Sequence, residues 1–426
     1  MAPAGGAVER ATQPTSPEAL QIGLGVNHTC ALLSGGQVRC WGYGREGELG
    51  YPNTGSVGAT NTPASAGPVE LGPGRSATAI SVGGYHTCAI LDNGNVLCWG
   101  YGRNGRLGYG NIDNVGDTQT PDTAGPINLG AGRTAKAISA GLADTCAILD
   151  DGSVRCWGFG YYGELGHGNT STVGDIKTPD TAGPVDLGGG RTAIAISAGG
   201  LHTCAILDNG SVLCWGLGTS GQLGYGNTSD VGDKQTPGSV APVDLGPGRT
   251  AVAISAGDAH TCAILDNGRV LCWGYGGDGR LGYGSTSNVG DTQTPGSVGP
   301  VNLGPGRTAV AISAASRHTC AILDNGGVLC WGDGGDGRLG YGSASNVGDT
   351  QTPGSVGPVN LGPGRTAVAI SAGGSHTCSL LDNGGVRCWG SGAYGQLGYC
   401  SATNVGDTSS STPDTAGPVN LVAGDG

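Results

Sequence analysis

Residues 251–308 read AVAISAGDAHTCAILDNGRVLCWGYGGDGRLGYGSTSNVGDTQTPGSVGPVNLGPGRT, and closely similar stretches recur along the whole chain. The period is 58 residues, as the spacing of the seven tryptophans shows: Trp41, Trp99, Trp157, Trp215, Trp273, Trp331 and Trp389. Seven units of this length fill nearly all of the 426-residue chain. A repeat of this size is typical of stacked or radial architectures, in which each unit contacts its neighbours.

Each unit contains four short strand candidates. In the quoted stretch they are residues 251–254, 261–265, 270–273 and 300–303, and Asp266-Asn267-Gly268 joins the second to the third as a tight turn. A Gly-, Ser-, Thr- and Asp-rich loop separates the third from the fourth. Four antiparallel strands repeated seven times predict an all-β fold, a seven-bladed β-propeller.

The ends of the chain bear on how the ring closes. The seventh unit stops near residue 421, and residues 18–23 match the register of the strand that would follow it. We therefore expect an N-terminal strand to complete the last blade and to leave no free sheet edge. This divides the chain into a disordered lead, residues 1–17, and a single propeller, residues 18–426.

The composition excludes several classes of protein. Glycine contributes 89 residues and charged residues only 12%, which is incompatible with a helix bundle. The net charge of −12 disfavours a nucleic-acid partner, and no apolar run approaches the roughly 20 residues of a membrane span. Met1 is followed by a Pro-, Gly- and Thr-rich segment without an apolar signal core, so we expect any export signal to have been removed.

The repeat resembles that of the regulator of chromosome condensation family. The similarity lies in the His-Thr-x-Ala-Leu/Ile core, the Asp-Asn-Gly turn, Trp-Gly-x-Gly and Gly-x-Leu-Gly, and it extends from about residue 18 to residue 421. The chain is most similar to bacterial, surface-associated members that carry paired cysteines and a Val-Gly-Asp-Thr loop. The resemblance implies a seven-bladed propeller. Some relatives are exchange factors for small GTPases, and some bacterial propellers of similar build inhibit β-lactamases.

Fifteen cysteines form seven pairs, each ten residues apart, with one left over. The pairs are Cys30/Cys40, Cys88/Cys98, Cys146/Cys156, Cys204/Cys214, Cys262/Cys272, Cys320/Cys330 and Cys378/Cys388. Across the predicted hairpin the two members lie opposite each other, which favours disulfides over zinc or reduced thiols. Disulfides indicate an oxidising compartment, so the sequence predicts an extracellular or cell-surface protein. Cys400 is expected to be a free thiol or to form an intermolecular bond.

Other recurring polar residues are expected to be structural. A histidine stands at one repeat position in six units, with Asp144 in the remaining one, and we expect it to bond backbone groups within its own blade: His28, His86, His202, His260, His318 and His376. The Val-Gly-Asp aspartates and the arginines before the first strand suggest a loop-anchoring hydrogen bond or ion pair, with calcium as the alternative: Asp117, Asp175, Asp233, Asp291, Asp349, Asp407, Arg75, Arg133, Arg191, Arg249, Arg307 and Arg365.

No catalytic set can be assembled without these structural positions, so the sequence predicts neither an enzyme nor a cofactor. Gly-x-Gly-x-x-Gly occurs in every unit, but no helix follows it, and a turn is a better interpretation than a dinucleotide site.

Positions that differ between the units are the candidates for recognition. The residue before the histidine and the loop after Trp-Gly vary most, and the first three units concentrate aromatic residues and arginines there: Tyr43, Arg45, Tyr85, Tyr101, Arg103, Phe159, Tyr161 and Tyr162. Such side chains are enriched at binding hot spots, although neutral drift of exposed loops would also make them vary. The sequence thus predicts a monomeric scaffold that binds an unidentified protein. A carbohydrate-binding module, a surface or fibre component and a nucleotide exchange factor are the alternatives.

Overall fold

The computed structural model describes residues 17–422, so the predicted lead lies outside the described residues except for Pro17. Seven three-stranded antiparallel sheets follow one another along the chain. Their strands are β1 Ala19–Leu24, β2 His28–Leu33, β3 Val38–Gly42, β4 Ala77–Val82, β5 His86–Leu91, β6 Val96–Gly100, β7 Ala135–Ala140, β8 Asp144–Leu149, β9 Val154–Gly158, β10 Ala193–Ala198, β11 His202–Leu207, β12 Val212–Gly216, β13 Ala251–Ala256, β14 His260–Leu265, β15 Val270–Gly274, β16 Ala309–Ala314, β17 His318–Leu323, β18 Val328–Gly332, β19 Ala367–Ala372, β20 His376–Leu381 and β21 Val386–Gly390.

The hairpin between the second and third strands has the predicted register. In the fifth sheet Cys262 lies directly opposite Cys272, and their Cα atoms are 4.1 Å apart across the disulfide. The turn closes through the N–H of Gly268, which donates to the carbonyl oxygen of Leu265 at 2.8 Å. Gly268 has a φ of 75°, and a Cβ there would stand 2.7 Å from the Cβ of Thr308. The position therefore requires glycine twice over.

All seven predicted disulfides are present. They join Cys30 to Cys40, Cys88 to Cys98, Cys146 to Cys156, Cys204 to Cys214, Cys262 to Cys272, Cys320 to Cys330 and Cys378 to Cys388. Cys400 is exposed and free, as expected.

The fourth strand of each blade is not formed as predicted. Residues 300–303 run beside β15, but only one backbone bond joins them, from the N–H of Val301 to the oxygen of Val270 at 2.9 Å. Pro300 has no N–H to donate, so a regular ladder cannot develop there. Val301 and Leu303 are nevertheless buried, and the segment covers the outer edge of the sheet.

The predicted closure by an N-terminal strand is wrong. β1 pairs with β2 in the first sheet, and the seventh sheet has its own first strand, β19. The seventh sheet is therefore complete, and a further first strand after residue 421 would belong to an eighth unit. The first and seventh sheets still meet, since the N–H of Gly374 donates to the oxygen of Gly25 at 3.0 Å. The seven sheets thus form a ring that closes by contact between complete sheets.

The repeated histidines join neighbouring sheets, and the expectation that each bonds backbone within its own blade is wrong. His260 Nε2 lies 2.8 Å from the hydroxyl of Thr319 in the next sheet. That hydroxyl donates its one hydrogen to the oxygen of Arg280 at 3.0 Å, so the histidine must be the donor. Burial lowers the pKa of His260 well below its usual value, which keeps the ring neutral. Equivalent His–Thr contacts of 2.7–3.0 Å occur at six junctions, including the closing one from His376 to Thr29.

The tryptophans form the centre of each junction. All seven are fully buried. In five of them the indole N–H donates to the backbone carbonyl at the repeat position that also accepts from the junction threonine. Trp215, for example, donates to the oxygen of Glu164 at 2.9 Å. A large apolar side chain with its only polar atom satisfied stabilises the sheet-to-sheet contact.

Short helices lie in the loops between sheets. Seven of the ten begin at a Thr-Pro step with Pro in the first turn: Pro63–Ala66, Pro121–Ala124, Pro179–Ala182, Pro237–Ser239, Pro295–Val298, Pro353–Ser355 and Pro413–Ala416. Three 3₁₀ turns lie after the third strands, at Arg103–Gly105, Gly277–Gly279 and Gly335–Gly337. Proline at the start of a helix loses no hydrogen bond, because the first N–H groups have no partner within the helix.

The recurring arginines and aspartates do anchor loops, but with different partners. Arg249 pairs with Asp266 of the hairpin turn at 3.1 Å, and five other units repeat this ion pair. The Val-Gly-Asp side chain instead accepts from the next backbone N–H, as Asp291 does from Thr292 at 2.8 Å. Within residues 17–422, no three His, Cys, Asp or Glu side chains are grouped as a metal site would require.

Candidate binding face

One face of the ring combines the two sets of loops that vary between units. In each sheet the residue after Trp-Gly donates its backbone N–H to the oxygen of the residue before the histidine position, as Tyr101 does to Tyr85 at 2.9 Å. The two variable positions named from the sequence are therefore adjacent in space. We call this surface the binding face.

All eight residues predicted to bind a partner lie on this face, in the loops of the first three sheets. We call them the aromatic sector: Tyr43, Arg45, Tyr85, Tyr101, Arg103, Phe159, Tyr161 and Tyr162. Tyr161 is 64% exposed and Tyr85 39% exposed. Arg45 and Arg103 are exposed too, and neither has an ion-pair partner among the described residues.

The aromatic rings of this sector contact one another. Phe159, Tyr161 and Tyr162 form a cluster with ring centroids 5.1–6.3 Å apart, and Phe159 and Tyr161 are close to parallel. Tyr43 packs edge-on against Tyr394 of the seventh sheet at 5.2 Å. The cluster is thus ordered by its own packing before a partner arrives, which lowers the entropic cost of binding.

A buried arginine that was not among the predicted site residues supports these loops. Arg106 lies 5.1 Å from the ring of Tyr101, and its Nη1 donates to the oxygen of Leu142 in the next sheet at 2.9 Å. Arg280 and Arg338 occupy the same repeat position. The position reads Glu48, Arg106, Glu164, Gln222, Arg280, Arg338 and Gln396, and this run of long polar residues before Leu-Gly was the available signal.

Two of these supporting residues are buried acids. Burial raises the pKa of Glu48 and that of Glu164 to about 7. In each, Oε2 accepts one backbone N–H, while Oε1 has no partner among the described residues. The loops beneath the aromatic sector therefore change charge near neutral pH.

Asp144 adds a third buried acid at the junction between the third and fourth sheets. It replaces the histidine of the other units, and its Oδ2 lies 3.4 Å from the hydroxyl of Thr203. Burial, followed by the nearby Glu164 carboxylate, raises the pKa of Asp144 well above its usual value. When the hydroxyl of Thr203 donates its one hydrogen to the oxygen of Glu164 at 3.1 Å, only the protonated form of Asp144 can donate to that hydroxyl, as a histidine does elsewhere.

The fifth and sixth sheets present charges instead of aromatic rings. We call their group the charged sector: Asp258, Asp278, Arg280, Arg317, Asp333, Asp336 and Arg338. Arg338 pairs with Asp333 and with Asp336, both at 3.3 Å, and Arg280 pairs with Asp278 at 2.9 Å. Here the arginines are neutralised within the loops, in contrast to Arg45 and Arg103.

A central channel opens between the first strands. Its cavity measures about 210 Å³ and is lined mainly by small residues of these strands and of the loops that follow them, such as Ser139, Gly141 and Ala198. Asp258 contributes a charged side chain to this lining. The lining offers backbone and hydroxyl groups but no cluster of reactive side chains.

A ring of seven sheets around a narrow channel, joined by contacts that repeat from sheet to sheet, defines a β-propeller. Sequence profiles of the regulator of chromosome condensation (RCC1) repeat match residues 20–48, 77–106, 135–164, 193–222, 251–280, 309–338 and 367–396, and a second profile of the same repeat matches residues 35–90, 151–206, 209–264, 267–322 and 325–380. The chain belongs to the RCC1 repeat family.

Similar proteins differ widely in what surrounds the propeller. The ultraviolet-B receptor UVR8 of Arabidopsis thaliana is 30% identical over 91% of this chain and 81% of its own length. The human E3 ubiquitin-protein ligase HERC2 is 28% identical over 87% of this chain, which spans only 7% of the ligase.

Solved structures confirm the fold. Yeast RCC1 (Prp20), crystallised with Kap60, superposes with a TM-score of 0.66 over 99% of this chain and 92% of that one, at 19% identity. Human WBSCR16 superposes with a TM-score of 0.65 over 85% and 92%, also at 19% identity. In the part of the chain that the structure describes, no helix has the length and apolar character needed to span a bilayer.

Proposed function

We propose that this chain is a secreted or cell-surface propeller that binds another protein through the aromatic sector of its binding face. The observation that carries the proposal is the grouping of exposed tyrosines with Arg45 and Arg103, which have no ion-pair partner among residues 17–422. Aromatic and arginine side chains bury large areas and donate several hydrogen bonds, and they dominate protein–protein hot spots.

The disulfides support the proposed location. Seven bonded cysteine pairs in one chain are typical of proteins that mature in an oxidising compartment. Exchange activity on a cytosolic GTPase fits this chemistry poorly, and we do not propose it. Nor do we propose an enzyme, because the recurring His, Thr and Asp side chains are engaged in holding the sheets and loops together.

The test is a pull-down with chemical crosslinking, in which the intact chain is presented to the envelope and secreted proteins of its source. A double variant, Tyr101→Ala with Tyr161→Ala, should lose the crosslinked partner by about tenfold or more. Tyr275→Ala is the matched control, since Tyr275 occupies the repeat position of Tyr101 but lies in the fifth sheet and packs on Arg280 at 4.8 Å. The proposal fails if the double variant captures the partner as well as the control does.

A carbohydrate ligand is the second candidate, and one observation favours it. Phe159 and Tyr161 lie nearly parallel, at an interplanar angle of 21°, so they present flat apolar surfaces of the kind on which sugar rings stack. A glycan array distinguishes the two functions. Saturable binding to a defined glycan that Tyr161→Ala abolishes would show that the ligand of the aromatic sector is a sugar and not a protein.

A further inference from the structure

The first strand of every sheet carries a β-bulge. In β13 the register shifts between Ala251 and Ala253, which leaves Val252 without a partner in β14. The same shift occurs in all seven sheets. A bulge redirects the unpaired side chain, here towards solvent. The seven bulged residues are Leu20, Thr78, Lys136, Ile194, Val252, Val310 and Val368.

Five of the seven bulged residues are branched, apolar and well exposed. Their exposed fractions are 58% for Leu20, 62% for Ile194, 63% for Val252, 64% for Val310 and 59% for Val368. They belong to five consecutive sheets, the fourth to the seventh and the first, and we call them the bulge arc. The first strands of neighbouring sheets contact each other around the channel, so the five side chains follow one another around this end of the ring.

The bulge arc lies at the opposite end of the first strands from the binding face. β13 begins at the bulge and ends beside the loop that carries Asp258 on the binding face. The bulge itself adjoins the hairpin turn, because the N–H of Asp266 donates to the oxygen of Thr250 at 2.9 Å. The proposed partner site therefore leaves the bulge arc uncovered.

The charges at this end of the ring are self-complementary. Each sheet from the second to the seventh carries one Arg–Asp pair beside its hairpin turn, with N–O distances of 3.1–3.4 Å and side chains 35–44% exposed, and four of the six pairs lie in sheets of the bulge arc. Each pair presents one charge of each sign, so the pairs add nothing to the net charge of −12. When a second copy is turned over onto this face, it presents the same alternation, and a cation can face an anion at the rim. Self-complementarity of this kind is what a two-fold interface requires.

We propose that the bulge arc is the contact surface between two copies of this chain, which meet face to face around a two-fold axis. Burial of the exposed Val, Ile and Leu side chains drives the contact, and the Arg–Asp pairs beside the hairpin turns contribute complementary charges. The two binding faces then point away from each other, so the dimer holds two partner sites. This contact departs from the monomer that the sequence alone favours, and it does not depend on what the binding face recognises.

The test measures the oligomeric state of the full, disulfide-bonded chain by sedimentation velocity between about 1 and about 100 µM. The chain should be a dimer whose dissociation constant rises at least about tenfold when Val252→Lys and Val310→Lys are combined. Lys136 occupies the same bulge position naturally, so the fold accepts lysine there. The matched control is Ile176→Lys, which replaces an apolar residue that is 82% exposed on a distant loop, at the repeat position of Lys234. This control should dimerise as the unaltered chain does.

Three results would overturn the proposal. The first is a monomer throughout the concentration range, or a dimer that the double lysine variant leaves intact. The second is a dimer abolished by Cys400→Ser, which would show a covalent contact through that exposed thiol. The third is a monomer that dimerises only after removal of residues 1–16, since the arc would then be the docking site of this chain's own N-terminal residues. Circular dichroism of each variant confirms that its fold is retained.

Discussion

The junctions between sheets and the loops of the binding face come from the same repeat, yet they differ in how much variation they contain. At six junctions a histidine donates to a threonine of the next sheet, and that threonine donates to a backbone oxygen. On the binding face the equivalent loop residue is Tyr101 in one sheet, Asp333 in another and Ser391 in a third. Buried polar groups must find partners, whereas exposed loop side chains can change at little cost in stability, so stability and recognition are assigned to separate residues.

The largest effect is expected inside a junction. Trp215→Ala removes a fully buried indole whose N–H bonds Glu164, and we expect the free energy of unfolding to fall by about 3–5 kcal/mol. Denaturant unfolding followed by circular dichroism measures it. A loss below about 1 kcal/mol would mean that the junctions do not carry the stability, and the contrast with the loops would disappear.

A smaller effect is expected where one junction departs from the others. Asp144→His restores the side chain found at the six other junctions, and we expect it to raise the free energy of unfolding by about 1–3 kcal/mol at pH 8. The folded-state pKa of Asp144 lies above its unfolded value, so stability from its protonated form is present at low pH and is lost as the pH rises. The gain should therefore shrink towards pH 4. A gain that is independent of pH would show that the shape of the Asp144 side chain, and not its charge, lowers the stability of this junction.

The buried acids beneath the aromatic sector should give a comparable or smaller effect. The pKa of Glu48 and that of Glu164 rise from 4.5 to about 7 on folding, so the stability of their neutral form is full below 4.5 and is lost as the pH rises through about 7. Glu48→Gln and Glu164→Gln should each add about 1–2 kcal/mol at pH 8 and almost nothing at pH 4.

Gln222 and Gln396 occupy the same repeat position and provide the precedent for this change. Melting curves at the two pH values measure the effect. Equal shifts at both would count against the titration of these acids.

The smallest effect on stability is expected on the binding face. Tyr161→Ala truncates a side chain that is 64% exposed, and we expect unfolding to change by no more than about 0.5 kcal/mol. The same denaturant experiment as for Trp215 serves here. A large loss in the free energy of unfolding would mean that the Phe159–Tyr161–Tyr162 cluster stabilises the fold, and that its aromatic residues are present for a structural reason.

Much of the fold follows from the period alone. The spacing of the tryptophans gives the number of sheets, and the Asp-Asn-Gly turn fixes which cysteines lie opposite each other, because both are local properties of one unit. The two variable positions of the binding face were also visible, since comparison of the units separates positions that recur from those that change.

Contacts between units could not be predicted in the same way. A sequence in which the units are so alike shows that His260 has five equivalents, but not whether its partner is Thr261 or Thr319, which are 58 residues apart. The same ambiguity assigned β1 to the last sheet, although the short loop before β2 favours pairing within the first. The role of Arg106 cannot be predicted from its own unit, because it depends on the neighbouring sheet through the oxygen of Leu142.

The closing junction has a mechanical consequence. Six junctions are reinforced by the chain that passes from one sheet to the next, whereas the seventh and the first sheets are joined without a covalent connection, by the buried Trp41 and by hydrogen bonds such as that from His376 to Thr29. Under tension, or in brief thermal openings, the ring should open at this junction, and the first and seventh sheets should unfold before the others. Since six of the seven junctions use the same His–Thr contact, a circularly permuted chain would move this non-covalent closure to another junction of the ring.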